Sequence, residues 1–233
     1  MIKSKKILIP LCIVFALVEM QLSYTIQTTP PPNNYDFISV ALACAFCFLF
    51  VEKSKSYIFT QLALLFTVGA DYFLTYGNNF DQLSGMIFFS FVQIFYFLRL
   101  FFEDENKQRR KIHLFGRIVA SICVLIATKI VLGDSVDALS LFATFYYFNL
   151  LLNLFMAFIQ CKGISVFALG LLCFAICDLF VGLSIISSYL DVGNSPIVQF
   201  FINPGFDGVW AFYVPAQTLL AISLLPNRIK KRV

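Results

Sequence analysis

Charged residues are scarce in this chain of 233 amino acids. Asp, Glu, Lys and Arg together account for 13% of it, whereas apolar residues account for 60% and phenylalanine alone fills 29 positions. In soluble domains about a quarter of the residues are charged. A soluble fold of this composition would expose more hydrophobic surface than water tolerates, so we expect lipid to surround most of the chain.

Histidine is scarcer still, since His113 is the only one. A zinc site usually needs histidine beside cysteine, and a serine nucleophile needs a histidine base. The chain has no G-x-S-x-G motif and no glycine-rich phosphate loop. Most of its seven cysteines fall in apolar stretches, where a thiol behaves as a small apolar side chain. We therefore expect no metal and no cofactor.

Apolar stretches long enough to cross a bilayer, which takes about 20 residues in a helix, recur along the whole sequence. Lipid offers no partners to free backbone groups, so each crossing stretch should be helical. The sequence therefore predicts one all-α transmembrane domain over residues 1–233, a polytopic membrane bundle of eight helices. The predicted spans lie near 7–24, 37–51, 57–76, 85–102, 112–132, 137–160, 164–190 and 207–225.

Lysine and arginine are absent from every second connecting segment. The segments near 25–36, 77–84, 133–136 and 191–206 contain none, whereas the other loops and both ends are basic. Under the positive-inside rule the basic side is cytoplasmic, which predicts cytoplasmic N- and C-termini in the plasma membrane. Basic loops facing anionic lipid also account for the net charge of +4 without nucleic acid.

Three acidic residues, Glu19, Asp71 and Asp178, lie inside the first, third and seventh predicted spans. A carboxylate at mid-bilayer costs at least ~2.5–3.5 kcal/mol, so such residues are functional candidates. Asp71 follows Lys55 by 16 residues and Asp178 follows Lys162 by 16. At 1.5 Å per residue both lie ~24 Å from a cytoplasmic anchor, on parallel helices, and could share one layer of the bundle. For Glu19 a structural hydrogen bond is the simpler interpretation.

Amide and phenol side chains accompany these acids in the other spans. Such groups hydrogen-bond between helices in lipid, and together with two acids they would form a polar pocket. The candidates are Gln93 and Tyr96, Asn149 and Asn153 with Tyr146 beside them, and Tyr213 and Gln217. Arg99, Arg117 and Lys129 lie near span ends, from which we expect them to reach the lipid headgroups.

Four segments resemble a known family in their order and spacing. These are ALLFTVGADYFLTYG around Asp71, GMIFFSFVQIFY from Gly85 to Tyr96, GLLCFAICDLFVG around Asp178, and YVPAQ from Tyr213 to Gln217. They resemble the lysoplasmalogenase-like, or YhhN, family of eight-span membrane proteins. The chain departs from the family pattern by carrying Ala70 in place of Gly, Gln93 in place of His, Cys177 in place of Ser and Val214 in place of Tyr.

The resemblance implies hydrolysis of the vinyl ether of a lysoplasmalogen, a lysophospholipid substrate, to a fatty aldehyde and a glycerophospho-base. Asp71 and Asp178 would be the catalytic pair, one protonating the alkenyl carbon and one stabilising the cation and activating water. Which aspartate plays which role stays open. The substrate-orienting residues would be Gln93, Tyr96, Tyr213, Gln217, Asn149 and Asn153.

Two other functions remain open at this point. A family relative lacking the expected histidine could bind or sense a lipid, or carry it between leaflets, without catalysis. Paired intramembrane acids also suit the proton relay of a secondary transporter. Transporter sites usually use helices broken by Gly or Pro, and only Pro215 interrupts a predicted span near its middle.

Overall fold

The computed structural model describes residues 5–29, 34–49, 54–76, 81–160, 165–185, 188–190, 195–202 and 205–225. Within these ranges every regular element is helical. The helices are α1 (Lys5–Thr28), α2 (Tyr35–Cys47), α3 (Lys55–Asp71), α4 (Gln82–Glu103), α5 (Lys107–Leu132), α6 (Ala138–Gln160), α7 (Val166–Ile185), α8 (Pro196–Ile202) and α9 (Gly208–Ile222). A π-helical turn, Tyr72–Tyr76, continues α3, and a 3₁₀ turn, Gly133–Ser135, follows α5.

Six of these helices are long and apolar enough to cross a membrane: α1 and α3 to α7. The prediction of an all-α polytopic bundle is therefore confirmed, and the chain is an integral multi-pass membrane protein. Helices α2 and α9, at 13 and 15 residues, are shorter than the spans predicted for them. At 1.5 Å per residue, α2 covers only about 20 Å, so the count of eight crossings stays a prediction.

The seventh predicted span and the predicted loop after it both differ from the structure. Helix α7 covers Val166–Ile185, and residues 188–190 are not α-helical, so the predicted helix to residue 190 is too long. The predicted loop 191–206 contains the short helix α8, whose Phe200 and Phe201 pack against Phe180 of α7. Lys5 and Lys6 lie in the first turn of α1, whereas Lys3 and the basic residues of the tail, Arg228 to Arg232, lie outside the described residues. The predicted orientation therefore rests on the sequence.

Polar residues at the predicted boundaries determine where several helices begin. Ser54 accepts a hydrogen bond from the backbone N–H of Tyr57 at the start of α3. Asp81 caps α4 by accepting from Ser84, and Asp207 caps α9 by accepting from Trp210. Each cap satisfies a backbone donor that a helix start would otherwise leave unpaired.

Two tightly packed helix pairs, α3 with α4 and α7 with α9, form the centre of the bundle. Glycines bring both pairs together, because a Cβ on Gly69 would lie 2.6 Å from the Phe88 ring and one on Gly170 would lie 2.8 Å from Leu220 Cγ. Small residues at helix contacts are typical in lipid, where close packing replaces the hydrophobic effect. By contrast, α5 packs mainly on α6 and buries only Ser121.

Candidate active site

Asp71 and Asp178 line one cavity of about 250 Å³. Its walls come from the end of α3, the beginnings of α4, α6 and α9, and the second half of α7. The cavity therefore lies in the half of the bundle that carries the loops without lysine or arginine. At about 30 Å³ per water molecule, it has room for several waters. Its lining includes Asp71, Thr75, Met86, Phe89, Ser140, Asp178, Tyr189, Trp210 and Tyr213.

Each carboxyl group accepts a hydrogen bond from a tyrosine on another helix. The Tyr213 hydroxyl on α9 donates to Asp71 Oδ2 over 2.8 Å, and the Tyr146 hydroxyl on α6 donates to Asp178 Oδ2. Asp71 is only 3% exposed, whereas Asp178 is half-buried. The pair is therefore asymmetric, since one acid is enclosed by the bundle and the other is more accessible.

Two phenylalanine rings separate the two tyrosines. Phe89 lies 5.3 Å from the Tyr146 ring and 6.5 Å from the Tyr213 ring, measured between centroids. Phe174 lies 6.3 Å and 5.4 Å from the same two rings. Both phenylalanines are buried, so the two tyrosine rings pack against an apolar layer between them.

Local backbone structure helps to place Asp71. It is the last residue of α3 before the π-helical turn Tyr72–Tyr76, and Thr75 in that turn donates its hydroxyl to the Asp71 carbonyl over 2.9 Å. Such π turns inside helices often occur at functional sites because they redirect side chains. Leu74 and Thr75 line the cavity next to Asp71.

Of the six predicted substrate-orienting residues, only Tyr213 lies on the cavity wall. Gln93, Tyr96 and Gln217 are fully buried and are not among the lining residues. Phe89 on α4 contacts Tyr213 on α9, and ten residues later Arg99 contacts Ser223. The contacting residues are 124 positions apart in both pairs, so the two helices run in the same direction. This register puts Gln93 level with Gln217, one helical turn beyond the cavity toward the basic side.

This deeper layer includes buried polar atoms without a hydrogen-bond partner among the described residues. They are Gln93 Nε2, the Tyr96 hydroxyl, and both amide atoms of Gln217. Gln93 Oε1 accepts from Asn153 Nδ2 over 3.0 Å. Their positions place these residues out of direct contact with a ligand in the cavity.

Asn149 and Asn153 bind an arginine. Arg117 on α5 donates to Asn149 Oδ1 over 2.9 Å and to Asn153 Oδ1 over 2.8 Å, and its guanidinium lies 4.3 Å from the centre of the Phe97 ring. The prediction that Arg117 reaches the headgroups is therefore wrong. It is wrong for Arg99 also, because that residue is buried and donates to Thr60 over 3.0 Å. The oxygens of Asn149 and Asn153 supply the acceptors that Arg117 would otherwise find at the membrane surface.

Glu19 lies away from the cavity. Its carboxylate is 1% exposed and accepts a hydrogen bond from the Ser39 hydroxyl, which joins α1 to α2. The arrangement agrees with the structural interpretation of this acid.

Sequence reasoning underestimated two residues of the site. The sequence places Tyr146 beside the asparagine pair, and its position three residues before Asn149 puts it on the inward face of α6. Trp210, which lines the cavity and lies 5.3 Å from the Tyr213 ring, gave no signal beyond being the only tryptophan. Among the residues that the structure describes, no three His, Cys, Asp or Glu side chains lie close enough to hold a metal ion.

Comparison with known proteins gives one match. The family model of the YhhN family matches residues 36–224, which is most of the chain and extends from the second residue of α2 to beyond the end of α9. No curated protein and no solved structure matches the chain. All four motif segments that carry the resemblance fall inside the matched region. The chain therefore belongs to the YhhN family.

Proposed function

We propose that this protein is a membrane-embedded hydrolase that cleaves the vinyl ether bond of lysoplasmalogen-type lysophospholipids. The products are a fatty aldehyde and a glycerophospho-base. The observation that carries the proposal is the placement of Asp71 and Asp178 on one cavity wall, each bound by a tyrosine. Membership of the YhhN family supports it.

The reaction needs an acid and a carboxylate close together. A proton adds to the alkenyl carbon farther from the ether oxygen and leaves an oxocarbenium ion. Water then adds to the carbon bonded to oxygen and loses a proton, which gives a hemiacetal. When the hemiacetal collapses, its hydroxyl loses a proton as the carbonyl forms, the bond to the glycerol oxygen breaks, and that oxygen takes up a proton. The aldehyde and the glycerophospho-base then leave.

Two neighbouring carboxyl groups in a medium of low dielectric can divide these tasks. Repulsion opposes ionising both, so one retains a proton to donate while the other stays a carboxylate. The carboxylate stabilises the cation and accepts a proton from water, as in glycoside hydrolysis by paired acids. In this proposal Tyr146 and Tyr213 hold the carboxyl groups in position, and the cavity admits the attacking water.

The substrate implied is an amphipathic lipid that reaches the site from the bilayer. The cavity lies in the half of the bundle away from the basic loops, so the reacting bond would come from the leaflet opposite the cytoplasm. The proposal includes location in the plasma membrane, whose anionic inner leaflet suits those basic loops.

Purified protein in detergent or proteoliposomes, incubated with lysoplasmalogen, provides the test. We expect aldehyde release by the wild type and a fall of about 100-fold or more in Asp71→Asn and Asp178→Asn, the usual range for removing an acid or base. Asp134→Asn, which changes an exposed acid in the 3₁₀ turn, is the matched control and should keep full activity.

The possible results separate the functions. Aldehyde release that persists in both aspartate variants contradicts the proposed mechanism. Lysolipid binding by the wild type without aldehyde release would instead indicate a lipid-binding protein. Solute uptake driven by a pH gradient in proteoliposomes would indicate a transporter.

A further inference from the structure

A second, larger hollow of about 620 Å³ adjoins the cavity that contains the aspartates. It follows α6, with α5 on one side and α7 on the other, and α6 packs against both of these helices. We name this hollow the α6 groove. Its lining includes Val124, Ala127, Thr128, Val131, Ala143, Thr144, Phe148, Leu151, Leu179 and Gly182.

The α6 groove and the cavity with the aspartates are continuous. Met86, Ser140 and Ala143 line both, as do Asp178 and Tyr189. Asp178 therefore lies where the two meet, which agrees with its being the more accessible of the two acids. A ligand could occupy both spaces at once with its middle beside Asp178.

The polarity of the groove changes along its length. Ser140, Asp178 and Tyr189 lie at the end shared with the cavity, and Tyr189 donates to Asp137 Oδ2 over 3.1 Å. Along α6 the lining reaches Leu151, 11 residues beyond Ser140, which is ~16 Å toward the membrane centre at 1.5 Å per residue. Apolar and small side chains predominate there. A groove that is polar at one end and apolar along the rest is complementary to a lipid with a single chain.

Small residues keep the groove open. A Cβ added to Gly182 of α7 would meet no atom within 4 Å, and Ala127 and Ala143 face the same space from α5 and α6. The volume lies within the roughly 300–1,000 Å³ typical of small-molecule sites.

We propose that the α6 groove binds the hydrocarbon chain of the lysophospholipid, with the polar end of that chain beside Asp178. This inference rests on the proposed function, since it identifies where the substrate of that site enters and what part of it is recognised. The vinyl ether of a lysoplasmalogen joins the chain to the glycerol, so a chain lying in the groove brings this bond to the acids. The headgroup then lies toward the cavity and its outer opening.

A binding measurement without turnover tests this inference. The probe is a lysophosphocholine with a saturated ether-linked chain, which cannot be hydrolysed, carrying a photoreactive diazirine near the chain end. Full-length protein in lipid nanodiscs is labelled with light, and mass spectrometry maps the modified peptides. We expect labelling of α5 and α6 at the apolar end of the groove, between Val124 and Thr128 and between Phe148 and Leu151.

Two matched glycine variants then distinguish the groove from ordinary lipid contact. Gly182→Leu fills the groove, and Gly116→Leu makes the same change on α5, where a Cβ also meets no atom within 4 Å but where the residue does not line the groove. We expect Gly182→Leu to reduce labelling about tenfold, because the leucine side chain would occupy space that the hydrocarbon chain needs, and Gly116→Leu to leave it unchanged. Should Gly182→Leu fail to fold, Ala127→Leu blocks the groove from α5.

Competition identifies the ligand. Excess unlabelled lysophospholipid should abolish the labelling, whereas excess diacyl phospholipid should not. Labelling that both lipids reduce equally, or that Gly182→Leu leaves unchanged, overturns the inference. Specific labelling of the groove without aldehyde release would contradict the proposed hydrolase but support chain binding in the groove. Aldehyde release with labelling elsewhere would support the hydrolase and contradict chain binding in the groove.

Discussion

Tyr213 on α9 donates a hydrogen bond of 2.8 Å to Asp71 on α3, across 142 positions of the chain. Tyr146 on α6 makes the equivalent bond to Asp178 on α7. Each of the two acids therefore accepts a hydrogen bond from one tyrosine, and the four residues lie on four different helices. This arrangement provides the most direct tests of the site.

Removing either phenol should lower activity without abolishing it. A hydrogen bond contributes about 0.5–1.5 kcal/mol, so Tyr213→Phe and Tyr146→Phe should each reduce kcat/KM about twofold to tenfold in the aldehyde assay. The control is Tyr96→Phe, which removes a buried hydroxyl that has no partner among the described residues and does not line the cavity. An equal loss of activity in the control would mean that removing any buried hydroxyl has this effect, and that the bonds to the acids are not its cause.

Glu19→Gln should retain activity. The glutamine can still accept a hydrogen bond from Ser39, and Glu19 does not line the cavity that holds the aspartates. Its kcat/KM should remain within about twofold of the wild type, because no interaction that reaches the reacting atoms is lost. A loss comparable to that of the aspartate variants would place Glu19 in the catalytic machinery.

Arg117→Leu should destabilise the bundle more than Lys129→Leu. Arg117 binds two buried asparagines, whereas Lys129 is exposed and donates only to the carbonyl of Gly133. In Arg117→Leu the two buried amide oxygens lose their charged donor. This lowers the free energy of unfolding by about 1–3 kcal/mol. Thermal unfolding in detergent measures the difference, and equal stability of the two variants would contradict the role given to Arg117.

Gly170→Ala should be destabilising although alanine favours helices. The added Cβ would lie 2.8 Å from Leu220 Cγ and 3.1 Å from the Leu220 backbone nitrogen, which would push α7 away from α9. Overpacking of this kind costs about 1–3 kcal/mol. Gly116→Ala, where the Cβ meets nothing within 4 Å, should be neutral or slightly stabilising in the same unfolding assay. The prediction fails if Gly170→Ala is as stable as that control.

The loop between α4 and α5 should become less stable in acid. Arg109 donates to both carboxylate oxygens of Asp104, at 2.6 Å and 2.7 Å, and this lowers the pKa of Asp104 below its ordinary value. A lowered folded pKa adds stability above the unfolded pKa of about 3.9 and loses it as the pH falls through the folded value. Asp104→Asn should therefore be less stable than the wild type at pH 7, and the difference should vanish at low pH. A difference that stays constant with pH would exclude the ion pair as its source.

Much of the architecture follows from local sequence. Hydropathy and the spacing of basic residues indicated a helical membrane protein, and each of the six long helices overlaps a predicted span. The boundaries were less predictable, as α7 shows by ending at Ile185. Hydropathy indicates whether a segment prefers lipid, but it does not show whether an apolar segment at the end of a span is still helical, so composition does not determine where a helix stops.

The sequence by itself determined that Asp71 and Asp178 are embedded acids at similar depth, because depth depends only on distance along a helix from its basic end. Only the tertiary structure decided which groups meet them. Tyr146 and Tyr213 reach the acids, whereas Gln93 and Gln217 lie a turn deeper and Arg117 binds the asparagines. The helices are largely apolar on all sides, so hydrophobicity does not indicate which helix a polar residue will meet. Packing between helices that are distant in sequence determines the partner of each polar group.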